Sequence, residues 1–252
     1  ATDLVGQGVS IIAGTVVSGV AVQMAGFAEE NNILYISGPA ASDAITGVNQ
    51  NTFRSGRQSY QDVATAASLV ETDGGTVLVF AQDTEFGAAN VGAVEAVLGP
   101  QGFTVESLLV PGTETEFTGF ADQINQADPD LVFVAWAGET SGAMWQALNQ
   151  QNVFDTAPVA TGLADIVTWP FYGDAATGIS FLSHYFAGAP DNPVNDYMVE
   201  NVEVADLFTP DGFVAAQMIV QALTEAGPDD VAGMISALEG WTFDASKGPQ
   251  TV

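Results

Sequence analysis

Residues 33–42, ILYISGPAAS, join a short apolar run to a loop of small and hydroxyl-bearing residues. The apolar run is typical of a strand that is buried on both faces of a parallel sheet. The loop follows at the carboxyl end of this strand, which is where open α/β sheets place their ligands. The stretch therefore predicts an α/β sheet and, at its edge, part of a binding site.

Strand-like and helix-like runs alternate on both sides of this stretch. Residues 9–13 and 33–36 predict two strands, and the apolar spacing of residues 19–32 predicts a helix between them with Ser18 as its N-cap. Further strands are predicted at residues 76–81, 103–110, 131–135, 158–161 and 179–186, and further helices at residues 60–71, 85–98, 116–127, 140–151, 191–204, 211–226 and 229–239. Continuous apolar strands separated by helices predict the α/β class, with mostly parallel sheets flanked by helices.

The composition limits the classes of function. The chain has 252 residues, 47% of them hydrophobic, and no cysteine, which indicates a folded protein large enough for two lobes and excludes disulfides and thiolate catalysis. Its 31 acidic and 3 basic residues give a net charge of −28, a field that repels nucleic acids and anionic membrane surfaces. No apolar run approaches the roughly 18 residues of a membrane helix. We expect any signal peptide to lie outside this sequence.

The acidic surface has two interpretations. A chain with so few basic residues is typical of proteins that work in concentrated salt, where ions screen the self-repulsion of the folded state. An ordinary acidic secreted protein is the alternative. The first interpretation predicts a halophilic source and a fold that weakens when salt is removed.

Signals of enzymatic chemistry are few. The sequence has no Gly-x-Ser-x-Gly elbow, no glycine-rich phosphate loop and no His-x-x-x-His pair. The single histidine, His184, has no serine or cysteine at a suitable spacing, so we interpret it as a hinge or surface residue rather than a general base. We therefore expect no enzyme activity, no cofactor and no metal site.

Several segments together have the order and spacing of a known family. They are residues 11–18, 34–37, 41–46, 52–54, 77–87, 128–134 and 240–248. In this respect the chain resembles the branched-chain amino-acid binding (leucine/isoleucine/valine) family of ABC transporter receptors, which have the type I periplasmic-binding-protein fold. The resemblance implies two α/β lobes that close on a small ligand by hinge motion. It also implies that N- and C-terminal elements of the family, a strand–helix–strand unit and some final strands, are missing from this chain.

The resemblance also implies a division of the chain. We expect residues 1–58 and 187–243 to form lobe 1, residues 59–186 to form lobe 2, and residues 244–252 to begin a return towards lobe 2.

In lobe 1 the resemblance implies two ligand loops. Ser18 lies where the family holds a ligand carboxylate with a hydroxyl and the amides of a helix N-terminus, and the helix dipole independently favours an anion there. A plain N-cap serine is the alternative. Ala40, Ala41 and Ser42 lie in the second loop, where the family offers backbone groups and one hydroxyl. That hydroxyl position aligns with Ala41 or with Ser42, and an ordinary helix-entry loop is the alternative. For Arg54 we expect a structural role.

In lobe 2 the resemblance implies two contact positions, Phe86 and Trp136, and leaves the partner of the ligand ammonium open. Phe86 is expected to form an apolar wall or to pack in the core, and Trp136 to cover the ligand or to pack beneath its loop. The family's glutamate for the ligand ammonium is not matched, and Glu139 or Asp165 is expected to replace it. If neither does, the ligand is a carboxylate without an α-amine, such as an aromatic acid, or an amide.

The resulting expectation is an extracytoplasmic solute-binding receptor of an ABC importer. It would bind an amino acid or related small carboxylate, dock on a membrane permease and act as a monomer. Its place would be the periplasm, or the cell surface of an archaeon or Gram-positive organism. A ligand-sensing ectodomain or regulatory module of the same fold is the first alternative, and a hydrolase that uses Asp165 and Glu139 is the second.

Overall fold

Strands and helices alternate along the chain in the computed structural model, which describes residues 1–70 and 74–252. The strands are β1 (Ile11–Gly14), β2 (Leu34–Ser37), β3 (Thr52–Arg54), β4 (Gly75–Gln82), β5 (Phe103–Val110), β6 (Leu131–Ala135), β7 (Val159–Thr161), β8 (Ile179–Phe181), β9 (Thr242–Ala245) and β10 (Gly248–Thr251). The α-helices are α1 (Thr2–Gly6), α2 (Ser18–Glu30), α3 (Ser59–Ala66), α4 (Glu85–Leu98), α5 (Thr118–Ala127), α6 (Ser141–Gln150), α7 (Val153–Thr156), α8 (Trp169–Tyr172), α9 (Pro193–Asn201), α10 (Thr209–Ala226) and α11 (Val231–Leu238). The predicted α/β class is confirmed.

The chain forms two compact units. The first contains residues Ala1–Gln58 and Tyr185–Val252, and the second contains Ser59–His184. Residues 244–252, for which the sequence predicts a return towards lobe 2, lie in the first unit. There β10 pairs antiparallel with β9, with Gly248 opposite Ala245, so the chain folds back on itself as a hairpin.

The sheet of the first unit has the order β1-β2-β3, and both pairings are parallel. Its central strand β2 is fully buried because successive side chains face different helices. Leu34 and Ile36 pack with residues of α10 and α11, including Met218, whereas Tyr35 packs with alanines of α2. Burial on both faces explains why β2 reads as a continuous apolar run.

The sheet of the second unit has the order β5-β4-β6-β7-β8, and all of its pairings are parallel. One face of β4 and β6 packs through Phe80 and Val132 in a core with residues of α5 and α6, and the other through Val79 and Phe133 in a core with residues of α3 and α4. The chain moves outward from β4 to β5 and then resumes on the opposite side with β6. The carboxyl ends of β4 and β6 therefore flank a topological switch point, the usual ligand position in such sheets.

Two predicted elements differ clearly from those observed, and several short elements were not predicted. The strand predicted over 179–186 ends at Phe181, because its neighbour β7 ends at Thr161 and the last pairing bond is donated by the Leu182 N–H to Thr161 O. The helix predicted over 60–71 is α3 followed by a 3₁₀ turn at Ala67–Leu69, and its predicted end at residue 71 lies outside the described residues. The short helices α7 and α8 contain four residues each, too few for a helical period to be recognised.

The described helices include none that is both long and apolar enough to cross a bilayer.

Candidate ligand-binding site

In the first unit, two backbone hydrogen bonds join the loops that follow β1 and β2. The Gly38 N–H donates to Gly14 O at 2.8 Å, and the Ala40 N–H donates to Thr15 O at 3.3 Å. Thr15 has a φ of +78°, a conformation that costs a β-branched residue free energy, and its Oγ1 lies 2.5 Å from the Tyr35 hydroxyl. Strained residues of this kind concentrate at ligand sites. The two backbone hydrogen bonds place the predicted ligand loops next to each other.

Ser18 is the first residue of α2 rather than its N-cap, so the predicted N-cap is wrong. Val17 occupies the cap position and makes no side-chain cap bond. The Ser18 side chain instead turns towards the neighbouring loop, where its Oγ accepts from the Ser42 N–H at 3.3 Å. Within residues 1–70 and 74–252 the Ser18 hydroxyl donates to no acceptor. A buried hydroxyl hydrogen thus lies at the first turn of a 13-residue helix.

The second loop is buried, and two arginine side chains donate hydrogen bonds to its carbonyls. Ala40, Ala41 and Ser42 are at most 2% exposed. The guanidinium of Arg54 donates to Ala40 O at 2.8 Å and to Ser42 O at 3.2 Å, and that of Arg57 donates to Pro39 O. Burial lowers the pKa of Arg54, and the nearby charge of Asp43 opposes this effect. Arg54 therefore has the expected structural role and fixes the carbonyls of the loop.

The hydrogen bonds of this loop limit what it offers to a ligand. The Ala40 N–H is already donated to Thr15, so Ala40 has no free backbone donor. The Ser42 hydroxyl accepts from the Ala44 N–H at 3.2 Å and caps the 3₁₀ turn Asp43–Ile45. The loop therefore provides small methyl groups and a fixed backbone.

In the second unit, a side chain bridges the switch point between β4 and β6. Oε1 of Gln82, the last residue of β4, accepts from the Ala137 N–H at 3.1 Å. Phe86 lies in the first turn of α4, where it is partly buried against the core beside α3. Gly87 follows, and an added Cβ there would lie 1.9 Å from Gln82 O. The start of α4 therefore rests directly on the end of β4.

Trp136 packs in the core beneath the loop that follows β6. It is 4% exposed, and its ring centroid lies 5.2 Å from those of Phe80 and Phe117. Its Nε1–H donates to Thr140 Oγ1 at 3.0 Å. This arrangement fixes the loop at both ends and leaves Glu139 exposed on it.

Asp165 follows β7 and stabilises the turn before α8. Its Oδ1 accepts from the Thr168 N–H at 2.8 Å, while its own N–H donates to Thr168 Oγ1 at 3.1 Å. Burial raises the pKa of nearby Tyr172 to about 12, an effect that the Thr168 hydroxyl opposes and the charge of Asp165 reinforces. Asp165 is therefore a capping residue, and its Oδ2 accepts no hydrogen bond from the described residues.

Sequence reasoning missed Thr15, Gln82 and Thr140. Gln82 carried a usable signal, because a polar residue that ends an apolar strand lies at the carboxyl edge of the sheet. The bonds of Thr15 and Thr140 depend on tertiary neighbours. Among the described residues no group of three or more histidine, aspartate or glutamate side chains is arranged to hold a metal ion.

Comparison with known proteins agrees with this architecture. A family model described as "Periplasmic binding protein" matches residues 1–252. The Leu/Ile/Val-binding protein BraC3 of Rhizobium johnstonii is 24% identical over 247 residues, which are 95% of this chain and 67% of that protein.

Two solved structures from Rhodopseudomonas palustris are also similar. An ABC-type branched-chain amino acid transporter protein is 29% identical, with a TM-score of 0.73 and coverage of 98% of this chain and 70% of that one. A solute-binding protein in complex with benzoate is 23% identical, with a TM-score of 0.85 and coverage of 100% and 72%. The second likeness shows the fold alone. With a family model over its whole length, the chain belongs to the periplasmic binding protein family, among the type I proteins of the branched-chain amino acid group.

Proposed function

We propose that this protein is the extracytoplasmic receptor of an ABC importer and binds an amino acid or a related small carboxylate. The observation that carries this proposal is the Ser18 hydroxyl, which donates to no acceptor in the part of the chain that the structure describes and lies in the first turn of α2. The first N–H groups of a helix also lack partners within the helix, and the helix dipole favours an anion there. A carboxylate at this place accepts hydrogen bonds from both kinds of donor.

The loop at Ala40–Ser42 supports this role by being fixed in advance. Arg54 and Arg57 hold its carbonyls, and Ser42 holds Ser18 through the 3.3 Å bond to its Oγ. A site that is ordered before the ligand arrives loses less conformational entropy on binding. In this proposal Ala40 and Ala41 form a wall whose small side chains leave room for the ligand.

The second unit contributes the switch point between β4 and β6. The loop after β6 is fixed by Gln82 and by the Trp136–Thr140 bond, and it carries Glu139. For a ligand with an ammonium group, Glu139 or the Oδ2 of Asp165 serves as the acceptor, since a buried charge needs a partner. Phe86 provides apolar surface, and Trp136 acts indirectly by holding the loop.

The relatives favour one chemical class of ligand. BraC3 is named as a Leu/Ile/Val-binding protein, and one structural neighbour was crystallised with benzoate. These ligands share a single carboxylate on a compact apolar body. We propose the same class here.

The two units act as lobes in this proposal. The chain passes between them at Gln58–Ser59 and at His184–Tyr185, and these segments are the proposed hinges. Ligand binding favours a closed form, and a membrane permease recognises that form. No covalent step is part of the proposal.

Isothermal titration calorimetry tests the proposal with leucine, isoleucine, valine and benzoate in molar potassium chloride. We expect at least one of them to bind, and Ser18→Ala to weaken it at least about tenfold, since hydrogen bonds to charged groups contribute about 1.5–3 kcal/mol. Ser10→Ala is the matched control in the same unit, because the Ser10 hydroxyl donates to Pro228 O. If Ser18→Ala leaves the affinity unchanged, the ligand carboxylate binds elsewhere in the protein. If none of the four compounds gives a heat of binding, the proposed function is wrong.

A further inference from the structure

Thr15 has a backbone conformation that its side chain disfavours. In the part of the chain that the structure describes, the residues other than glycine with a positive φ are Thr15, Asn32, Asp128 and Asn152. Asparagine and aspartate adopt this left-handed conformation more readily, because their short polar side chains bond to the nearby backbone. Thr15, at +78°, is the β-branched residue among them, and for such a side chain the conformation is an outlier. Other contacts must therefore hold Thr15 in place.

The Tyr35 hydroxyl provides one of these contacts. Thr15 Oγ1 donates to Gly14 O at 2.5 Å, and this bond uses the single hydrogen of the threonine hydroxyl. In the 2.5 Å contact between Thr15 Oγ1 and the Tyr35 hydroxyl, Tyr35 is therefore the donor. The Tyr35 side chain is fully buried in β2, where it packs with the alanines of α2. A fixed donor thus reaches Thr15 from the core.

Both predicted ligand loops depend on the conformation of Thr15. Gly14 and Thr15 have successive positive φ values and turn the chain at the end of β1, shortly before Ser18. Gly14 O accepts from the Gly38 N–H at 2.8 Å, and Thr15 O accepts from the Ala40 N–H at 3.3 Å. A return of Thr15 to a negative φ would turn its carbonyl in another direction, so the Ala40 N–H would lose its acceptor.

We propose that Tyr35 is a positioning residue of the ligand site. Its hydroxyl holds Thr15 in the left-handed conformation, and Thr15 in turn fixes the turn before Ser18 and the backbone at Ala40. Tyr35 itself does not contact the ligand, because its side chain lies in the core. The ligand binds to loops that are already ordered, so less conformational entropy is lost on binding. This inference rests on the proposed function, because it concerns the site at which that ligand binds.

Tyr35→Phe tests the proposal, because it removes the hydroxyl and keeps the ring that packs against α2. We expect amide exchange in residues 38–42, measured by mass spectrometry in molar potassium chloride, to become at least about threefold faster, because the Ala40 N–H opens more often. By calorimetry we expect the tightest ligand among leucine, isoleucine, valine and benzoate to bind at least about fivefold more weakly. Tyr197→Phe makes the same chemical change at an exposed position of α9 and is the matched control, expected to alter neither quantity.

Thr15→Gly tests whether Tyr35 acts through Thr15. Glycine adopts a φ of +78° at no steric cost and has no hydroxyl for Tyr35 to hold. In the Thr15→Gly background we expect Tyr35→Phe to change exchange and affinity by less than about 1.5-fold, so that the two substitutions are not additive. A tyrosine hydroxyl that acted only through packing would give the same effect in both backgrounds.

The outcomes separate this inference from the proposed function. If none of the four compounds binds the protein, the proposed function is wrong, whereas the exchange measurement still supports or overturns the role of Tyr35 in ordering the loop. If exchange in residues 38–42 is unchanged in Tyr35→Phe, or if the effect persists in the Thr15→Gly background, the inference is overturned. Faster exchange with unchanged affinity also overturns it, because the order of the loop would then have no consequence for the ligand.

Discussion

The Ser42 N–H donates to the Oγ of Ser18 at 3.3 Å, and this bond joins the loop after β2 to the first turn of α2. The two serines are 0% and 1% exposed. A buried donor that loses its acceptor costs more free energy than an average hydrogen bond contributes. Ser18 therefore holds the loop in the ligand-free protein, and in the proposed function its hydroxyl hydrogen also meets the ligand.

We expect Ser18→Ala to lower the free energy of unfolding of the ligand-free protein by about 0.5–1.5 kcal/mol, because the buried Ser42 N–H then loses its bond to the Ser18 Oγ. Urea unfolding followed by circular dichroism measures this change. Ser10→Ala removes a serine from a solvent-exposed hydrogen bond, and its expected effect is below about 0.5 kcal/mol. Equal losses of unfolding free energy in the two variants would show that the buried Ser18–Ser42 bond contributes no more to stability than the exposed bond of Ser10.

Two glycines of α4 predict opposite effects for the same substitution. An added Cβ at Gly87 would lie 1.9 Å from Gln82 O, whereas at Gly92 no atom lies within 4 Å. We expect Gly87→Ala to destabilise the protein by at least about 2 kcal/mol, because α4 must move away from β4. We expect Gly92→Ala to stabilise it by about 0.5–1 kcal/mol, because alanine favours the helix. Thermal unfolding measures the stability of both variants. If Gly92→Ala destabilises the protein as much as Gly87→Ala does, the close approach of Gly87 to Gln82 O is not the cause.

Arg54→Lys removes a planar group that reaches several acceptors at once. Lysine has the same charge but cannot place donors on Ala40 O and Ser42 O together. We expect a loss of about 2–3 kcal/mol in the free energy of unfolding, since charge-assisted bonds to more than one buried carbonyl are then broken. We also expect faster amide exchange in residues 38–46, measured by mass spectrometry. Thr46→Val removes only one side-chain acceptor of Arg54 and should cost less. Unchanged exchange in Arg54→Lys would argue against the arginine as the support of this loop.

Much of the fold was predictable because local and tertiary preferences agree. The bounds predicted for α4, β5 and β6 match those observed. The apolar strands β4 and β6 are interior strands of their sheet, so burial on both faces left a clear pattern in the sequence. Strand β8 was predicted too long because its end depends on its pairing with β7, and the apolar pattern of residues 179–186 does not show that pairing.

The candidate site was less predictable, because its geometry depends on hydrogen bonds between separate loops. A serine before an apolar helix reads as an N-cap, yet Ser18 is the first helical residue because the Val17 carbonyl accepts the first helical hydrogen bond, from the Ala21 N–H. The Ser18 hydroxyl is thus available to the Ser42 N–H. Trp136 follows a buried strand and reads equally well as a ligand cover or as core. Its contacts with Phe80 and Phe117 decide for the core, and they come from elements remote in sequence.

Tyr172 predicts a measurable pH dependence. Burial raises its pKa to about 12, above the ordinary value of 10. The folded state therefore holds this proton more tightly than the unfolded state, so its contribution to stability is complete below pH 10 and is lost between pH 10 and about 12. Absorbance at 295 nm, recorded within seconds of a pH jump, should show Tyr172 as the last of the five tyrosines to titrate, after Tyr185, whose pKa burial also raises. Tyr172→Phe should remove that late step, and a late step that persists in this variant would assign it to another tyrosine.

The net charge of −28 predicts that stability depends strongly on salt. The second unit carries acidic side chains without a single Lys or Arg, so their mutual repulsion opposes folding unless ions screen it. We expect the melting temperature to rise steadily from 0.1 M to molar potassium chloride. The triple variant Glu95→Gln, Glu106→Gln and Asp122→Asn neutralises three exposed acids of this unit, and its rise should be smaller because there is less repulsion to screen. Differential scanning calorimetry measures both proteins. Equal melting temperatures in dilute and molar salt would contradict adaptation to concentrated salt, and an unchanged slope in the triple variant would show that repulsion among these acids is not its cause.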